Sequence, residues 1–97
     1  NLRNSNFVPI ESIVGPYYVR LMLLDQPGVI ADIAACLRDQ NVSVESMLQR
    51  ARKPGDAVPV VLTTHEAKEG AIRKALESVD KLPGVVEKSR MIRIEKF

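Results

Sequence analysis

The fold is decided by residues 17–39, which read YYVRLMLLDQPGVIADIAACLRD. The opening stretch is rich in β-formers, and Val19, Leu21 and Leu23 alternate, so they would share one face of a strand. Pro27-Gly28 then marks a turn, with the proline at a position that tolerates it at the start of a helix. The segment therefore predicts a strand that passes through a short loop directly into a helix.

The predicted helix has one apolar side. Its stripe at helical spacing consists of Ile30, Ile33, Ala34 and Leu37. Asn41 can adopt the left-handed conformation that ends a helix. Because the stripe must be buried, the helix is expected to pack on a sheet.

A second and a third strand follow. Residues 42–52 alternate, with Val44 and Leu48 assigned to one face of the second strand and the other face assigned to Glu45, Met47 and Gln49. Turn residues 53–56 lead back into a third strand, Val60 to Thr64. Pro59 cannot donate a ladder hydrogen bond, so we place it near the start of this strand, beyond the region paired on both sides.

A second helix and a fourth strand complete the pattern. Thr63 and Glu66 have capping-box spacing, and the following helix carries an apolar stripe of Ile72, Ala75, Leu76 and Val79. Its other side carries Glu69, Arg73, Glu77 and Lys81, which we interpret as a solvated face with ordinary helical ion pairs. Pro83-Gly84 turns the chain into a fourth strand, Val85 to Glu95, where Arg90 unexpectedly shares the phase of Ile92.

The element order predicts an α+β fold. Strand, helix, strand, strand, helix, strand is the ferredoxin-like βαββαβ arrangement, a four-stranded antiparallel sheet with two helices on one face. Right-handed crossovers place the first and third strands in the middle. The second strand then lies at an edge, where its backbone is free to pair with another subunit.

The bulk composition indicates one small domain. The 97 residues are 45% hydrophobic, with 14 Lys and Arg interspersed among 12 Asp and Glu, which does not favour nucleic-acid binding. No apolar run is long enough to span a bilayer and no signal segment is visible, so we expect a soluble, cytoplasmic protein without membrane contact. The single Cys36 cannot form an internal disulfide or build a metal site, and we interpret it as a core-filling residue.

The chain begins with Asn1 rather than Met. Residues 1–16 show no periodicity and end in Gly15-Pro16, so we interpret them as a linker or tail from a longer parent chain. The domain is then expected to cover residues 17–95.

Three other functions of this fold fit poorly. An RNA-recognition module needs aromatic residues on its central strands, but Phe7 and Phe97 lie at the chain ends and the Tyr17-Tyr18 pair lies at the start of one strand. A copper chaperone needs a Cys-x-x-Cys pair in the first loop, which here reads Asp-Gln-Pro-Gly. A small hydrolase of the acylphosphatase type needs an Arg in that loop, and none is present.

The first loop suits a free amino acid. Backbone N–H groups at the start of a helix can hold a carboxylate, and Asp25 can accept a hydrogen bond from an ammonium group. In the structural alternative, Asp25 caps the helix, Pro27 starts it and Gly28 permits tight packing. The residues alone leave both interpretations open.

A family resemblance favours the first interpretation. The run LLDQPGVIADIAACLRDQNVSVESMLQ, residues 23–49, resembles the ACT domain signature, in which a strand ends in an Asp-x-Pro-Gly loop before the first helix. The runs SVESMLQ, VPVVLTTHEAKEGAIRKAL and MIRIE are similar to the carboxyl-terminal ACT domain of homoserine dehydrogenases. The resemblance extends from Tyr17 to Glu95.

The resemblance implies regulation rather than catalysis. It implies feedback inhibition by threonine in the aspartate-derived amino-acid pathway. The parent would be an oxidoreductase that uses NAD(P), a cofactor held outside this fragment, since the sequence has no Gly-x-Gly-x-x-Gly fingerprint. No catalytic or metal-binding residue is assigned here. The alternative is an ACT-type dimerisation module that binds no ligand.

The resemblance also implies a site between two copies of the chain, paired through the second strand and the first helix. One copy would contribute Asp25, Gln26, Gly28, Val29, Ile30 and Ala31. The partner would contribute Asn41, Val42 and Ser43. Asp25 would take the ammonium group, and the amides of residues 29–31 the carboxylate. By analogy, Gln49 would read the threonine hydroxyl and Ile30 its methyl, unless Gln49 is only an exposed edge-strand residue.

Overall fold

The computed structural model describes residues 12–94 as six strands and two helices. In chain order these are β1 (Val14–Gly15), β2 (Tyr17–Leu24), α1 (Val29–Asp39), β3 (Val44–Gln49), β4 (Ala57–Thr64), β5 (Ala67–Lys68), α2 (Glu69–Asp80) and β6 (Arg90–Arg93). Most of the predicted tail, residues 1–11, and the last predicted strand residue, Glu95, lie outside the described residues.

The main sheet has the predicted topology. Its strand order is β3-β4-β2-β6, and every neighbouring pair is antiparallel. The buried residues of both helices join one core with the inward residues of β2 and β4, so both helices cover the same face. The ferredoxin-like α+β prediction is confirmed, with β3 at an edge.

The core is centred on the inner face of β2. Tyr17, Val19, Leu21 and Leu23 alternate with more exposed residues and are at most 4% exposed. Full burial of each aliphatic side chain of this size contributes roughly 1.5–3 kcal/mol. The alternating side chains that predicted this strand therefore also stabilise it through their burial.

Helix α1 packs with a different stripe from the predicted one. Its buried residues are Val29, Ile33 and Leu37, four apart, whereas Ile30 and Ala34 are exposed. Val29 lies close to Gly84, where an added Cβ would be 2.7 Å from Val29 Cγ2. Since the buried row of the helix runs through Val29, Ile33 and Leu37, Ile30 and Ala34 lie away from the core, and their predicted places in the stripe are wrong.

The end of α1 follows the prediction. Asn41 has φ 58°, the left-handed conformation. The Val42 N–H donates to Leu37 O (2.9 Å) and the Asn41 N–H to Arg38 O (2.9 Å), which is the Schellman pattern. Val42 and Leu37 are both buried and provide its apolar contact.

Strand β3 contains a β-bulge that changes which residues face the core. Val44 pairs with Thr64, but Ser46 pairs with Thr63, so one extra residue lies between these pairs. After the bulge, Met47 packs on the core and Leu48 is 56% exposed. Grouping Val44 with Leu48 was therefore wrong, because one inserted residue exchanges the two faces.

Strand β4 is longer than predicted. It begins at Ala57, and Pro59 pairs with Met22 of β2. Pairing with β3 starts only at Val60. The predicted start was wrong, but the expectation that Pro59 lies beyond the doubly paired region is confirmed.

The predicted capping box does not form. Helix α2 begins at Glu69, Lys68 is its N-cap, and no side chain caps it. Thr63 lies within β4, where its hydroxyl shares a 2.6 Å hydrogen bond with that of Ser46. Instead, β5 pairs with β1, and the Glu69 N–H donates to Ile13 O (2.9 Å). Residues 13–15 of the predicted tail are thus attached to the start of α2.

Strand β6 is shorter than the predicted 85–95. Val85 forms only an isolated bridge with Leu23, and the strand proper starts at Arg90. Met91 packs on the core, while Arg90 and Ile92 lie on the opposite face. This orientation explains why Arg90 shares the phase of Ile92, since neither faces the core.

Glu69 is buried, although its helical spacing predicted a solvated face. Its side chain is 3% exposed, and its Oε1 accepts hydrogen bonds from Tyr17 Oη (3.1 Å) and Arg93 Nη2. Arg73 Nη2 lies 2.7 Å from Oε2. The hydrogen bond from Arg93 lowers the pKa of Glu69; burial opposes this, and Tyr17 and Arg73 add to the lowering. Glu69 therefore joins α2, β2 and β6 as a buried carboxylate.

Replacing Glu69 should remove part of the acid sensitivity of folding. A carboxyl whose folded pKa is below its ordinary value of 4.5 stabilises the fold fully above that value, and this stabilisation is lost as the pH falls through the folded pKa. Glu69→Gln should lower the free energy of unfolding at pH 7 by about 1–3 kcal/mol and flatten its decline below pH 4.5. Urea titrations at several pH values measure both effects. Glu77→Gln, exposed on the same helix, is the control. An unchanged pH profile in Glu69→Gln would contradict this role.

Candidate functional site

The loop between β2 and α1 has a left-handed glycine. Gly28 has φ 87° and serves as the N-cap of α1, a conformation that glycine adopts without steric cost. The Gln26 N–H donates to Leu24 O (2.9 Å), and the Asp32 N–H donates to Gly28 O (2.9 Å). The loop is therefore a tight turn that leads straight into the first helical turn.

The first turn of α1 presents unused donors. No side chain caps this helix, so the predicted alternative in which Asp25 caps it is wrong. The Val29 N–H makes a long bond to Gln26 O (3.4 Å), and within residues 12–94 the N–H groups of Ile30 and Ala31 have no acceptor. Such groups, at the positive end of the helix dipole, favour an anion.

Asp25 is anchored to the connection between β3 and β4. Its Oδ2 accepts hydrogen bonds from Arg52 Nε (3.0 Å) and the Lys53 N–H (2.7 Å). Its backbone N–H donates to Asp56 O and its carbonyl accepts from the Gly55 N–H. Arg52 lies 75% exposed, whereas the Asp25 side chain is 9% exposed. The carboxylate thus fixes the 52–56 turn beside the first loop.

The electrostatics of Asp25 follow from these contacts. The hydrogen bond from Arg52 lowers its pKa, burial opposes this, and the Lys53 amide lowers it further. Gln49 adds to the same effect. Asp25 is therefore an ionised acceptor at neutral pH, already bound by its own chain.

Gln49 lies at the end of β3, on the same side of the molecule as Asp25. Its side chain is half-buried, and its Nε2 donates to Ala51 O (2.8 Å). Gln49 is thus tied to the 49–53 segment that surrounds Asp25. It is more restrained than an ordinary exposed edge-strand residue.

The remaining predicted residues lie at the other end of α1. A cavity of about 450 Å³ is lined by Ala34, Arg38, Asn41, Val42, Ser43 and Val44. Val42 is buried and Ser43 is exposed. The Ser43 carbonyl accepts a hydrogen bond from the His65 N–H (2.9 Å). The cavity is bordered by Val44, the first residue of the edge strand β3.

A single protomer does not bring the two groups of residues together. The first-loop group and Gln49 lie at the start of α1, and residues 41–43 follow its end. The helix has 11 residues, a length of about 16 Å. A site that uses both groups therefore needs a second copy of the chain. Among the strands that the structure describes, β3 pairs only with β4, so within residues 12–94 its other edge is open to such a copy.

Two contributors to the site were missed by sequence reasoning. Arg52 and the Lys53 amide bind Asp25, but they lie 27 and 28 residues away along the chain. The Lys53-Pro54-Gly55-Asp56 turn was visible, yet nothing in the sequence indicated that it folds against the first loop. To predict such a contact, one must know the register in which the strands of the sheet pair.

Two general findings bear on function. Within residues 12–94, no group of three or more His, Cys, Asp or Glu side chains is placed to hold a metal ion. Neither helix of that range is long and apolar enough to cross a membrane. Cys36 is half-buried against the core, and burial raises the pKa of its thiol.

Comparison with known proteins gives one family. The model of the ACT domain family matches residues 17–81. A homoserine dehydrogenase from Pseudomonas aeruginosa is 33% identical over 97 residues, covering 99% of this chain and 22% of that protein. One from Synechocystis is 37% identical over 86 residues, covering 89% and 20%. The chain therefore spans about a fifth of the length of the relatives it matches.

Two solved structures have a similar fold over most of this chain. A homoserine dehydrogenase from Thiobacillus denitrificans superposes with a TM-score of 0.82 and 33% identity, over 91% of this chain and 19% of that chain. The ligand-free regulatory subunit of aspartate kinase from Thermus thermophilus gives a TM-score of 0.62 at 19% identity, over 82% and 53%. The second likeness shows the fold alone.

Removal of the Asp25 carboxylate should release the neighbouring turn. In Asp25→Ala the Lys53 N–H loses its acceptor, so we expect its amide to exchange with solvent faster while the amides of α2 keep their protection. Hydrogen exchange followed by NMR measures this. Asp56→Ala removes an exposed carboxylate from the same turn and is the matched control. Equal exchange of the Lys53 amide in the two variants would contradict an anchoring role.

Proposed function

The chain belongs to the ACT domain family, and we propose that it is the regulatory domain of a homoserine dehydrogenase and binds threonine between two copies. The observation that carries this proposal is the uncapped start of α1 beside an ionised, nearly buried Asp25. A free amino acid has the complementary pair of charges. The likeness to homoserine dehydrogenases supports the choice of parent enzyme.

The carboxylate of the ligand would bind the start of α1. The N–H groups of Ile30 and Ala31 lack acceptors within the described chain, and Gly28 leaves the approach to them without a side chain. Hydrogen bonds to an anion are stronger than those between neutral groups. The Val29 side chain is buried, so this residue would contribute only its amide.

The ammonium group would compete with Arg52 for Asp25. The Arg52 side chain is 75% exposed, so it can move into solvent when another cation arrives. The Lys53 amide would remain on Oδ2 and keep the turn in place. Exchange of one cation for another would leave Asp25 ionised and paired throughout.

The threonine side chain has two chemically different groups. Gln49 lies beside Asp25, and its amide would read the hydroxyl. Ile30 is 38% exposed next to the free amides and would contact the methyl group. Gln26, exposed in the same loop, would border the ligand from outside.

The second copy would complete the site with Asn41, Val42 and Ser43. Pairing through the open edge of β3, with α1 beside it, would place this group of one protomer next to the first loop of the other. Threonine would then bridge the two copies and favour one arrangement of the dimer. Such coupling is typically about 1–3 kcal/mol.

The catalytic chemistry would belong to the rest of the parent enzyme. The 97 residues contain no Gly-x-Gly-x-x-Gly turn of a dinucleotide-binding fold, so they do not fit NAD(P). In this proposal the chain changes the activity of that enzyme only through the arrangement of its subunits.

A second function is favoured by the contacts of Asp25. Because Arg52 and Lys53 already satisfy this carboxylate, the loop can be purely structural. The chain would then be a dimerisation module that joins subunits through the β3 edge and binds no ligand.

Threonine should stabilise the chain against heat. A ligand that binds only the folded form adds about 2.7 kcal/mol of stability at a hundred times its Kd. We expect a thermal shift with threonine and a smaller one with valine, which has a methyl group in place of the hydroxyl. The absence of a shift with any free amino acid, in a chain shown to be dimeric, would favour the dimerisation module.

Mixing two variants tests whether the site is shared between copies. Ile30→Arg blocks the first-loop half and Ser43→Arg the other half, and both residues are exposed. Each variant alone should lose threonine binding. When the two are unfolded together and refolded at equal concentrations, one intact site forms in each mixed dimer, which should restore about a quarter of the wild-type capacity. Calorimetry measures the number of sites. No recovery, with mixed dimers confirmed by mass spectrometry, would contradict a shared site.

A further inference from the structure

The face of the main sheet opposite the helices has a defined arrangement of side chains. The register places Ser46, Thr63, Tyr18 and Ile92 in one row across the four strands. The next row consists of Leu48, Val61, Arg20 and Arg90. No described element covers these rows. We call this surface the open face.

Two arginines lie directly opposite each other on the open face. Arg20 of β2 pairs with Arg90 of β6, and both are exposed. Like charges at directly opposed positions destabilise a sheet. Among residues 12–94, neither arginine has an ion pair or a side-chain hydrogen bond to offset this repulsion. The fold therefore contains an unfavourable pair that its own contacts do not explain.

The two arginines belong to the lining of a larger cationic depression. A depression of about 560 Å³ is lined by both arginines together with Arg50 and Lys88. Among the described residues 12–94, the only acidic residue that lines it is Glu87. Glu45 lies at the β3 corner of this face, where its Oε1 accepts a 3.4 Å hydrogen bond from the Thr63 hydroxyl. Positive charge thus exceeds negative charge in this depression, although the whole chain has a net charge of only +2.

Apolar side chains adjoin the cations. Leu48 and Ile92 are each 56% exposed, and Tyr18, Met22 and Val61 are half-buried around the depression. Tyr, Met and Arg are enriched in protein interfaces. A small inorganic anion would use the charges but leave these apolar groups in water.

A second copy of the chain does not fit this face. Two open faces placed against each other would bring the same arginine clusters together, and like charges that face each other across an interface disfavour association. The free edge of β3 has no such charge conflict. The occupant must therefore carry the opposite charge and also offer apolar contacts.

We propose that the open face binds an acidic protein segment, one in which Asp or Glu side chains flank apolar residues. The carboxylates would neutralise Arg20, Arg90 and their neighbours, and the apolar residues would cover Leu48 and Ile92. This site is separate from the amino-acid site and does not depend on it.

The test uses two fluorescein-labelled ten-residue peptides. One contains six glutamates around two leucines, and the other has glutamine in place of every glutamate. Fluorescence anisotropy at low salt should show binding of the acidic peptide to this chain and at least tenfold weaker binding of the neutral one. Arg20→Gln/Arg90→Gln should weaken binding of the acidic peptide at least tenfold. Lys74→Gln/Lys81→Gln, an equal loss of charge from exposed positions on and just after α2, should not.

Stability provides an independent readout. Because Arg20→Gln/Arg90→Gln removes an uncompensated repulsion, it should raise the Tm at low salt, and the gain should disappear at high salt. Equal weakening by both double variants, or equal binding of both peptides, would overturn the proposal. Displacement of the peptide by millimolar inorganic phosphate at constant ionic strength would overturn it in favour of a small-anion site.

Discussion

The contact of Val29 with Gly84 is the constraint on which the rest of the structure depends. Gly84 follows α2, and its missing side chain lets the start of α1 approach within van der Waals distance. The Leu24 N–H donates to Gly84 O (2.7 Å), which attaches the same residue to the end of β2. One glycine therefore contacts both the end of β2 and the start of α1.

Two carboxylates with little exposed surface join segments of the chain through hydrogen bonds rather than apolar contacts. Asp25 joins the first loop to the turn between β3 and β4 through Arg52 and Lys53. Glu69 joins α2 to β2 and β6 through Tyr17 and Arg93. In each pair the arginine is partly exposed while the carboxylate is nearly buried. Loss of the carboxylate removes several bonds together, whereas the arginine can leave its partner without creating a buried, unpaired cation.

The fold was predictable from local patterns, and the corrections all come from non-local contacts. The alternation of apolar residues in β2 matches the observed alternation of burial. Asn41, which was predicted to end α1, has the left-handed φ that this role requires. The faces of β3 were not predictable because the bulge depends on pairing with β4. Glu69 does pair with Arg73 at helical spacing, but its contacts with Tyr17 and Arg93, which are distant in sequence, were not predictable from that spacing. The loop residues of the candidate site were predictable, but the engagement of Asp25 by Arg52 was not.

The chain presents two surfaces whose chemistry selects different partners. The edge of β3 offers backbone donors and acceptors, which any strand can pair with, so a second copy is a natural occupant. The open face offers an excess of positive side chains. They would repel the open face of a second copy and suit an acidic protein segment. Because β3 contributes its edge to the first surface and Leu48 to the second, the two surfaces meet along a single strand.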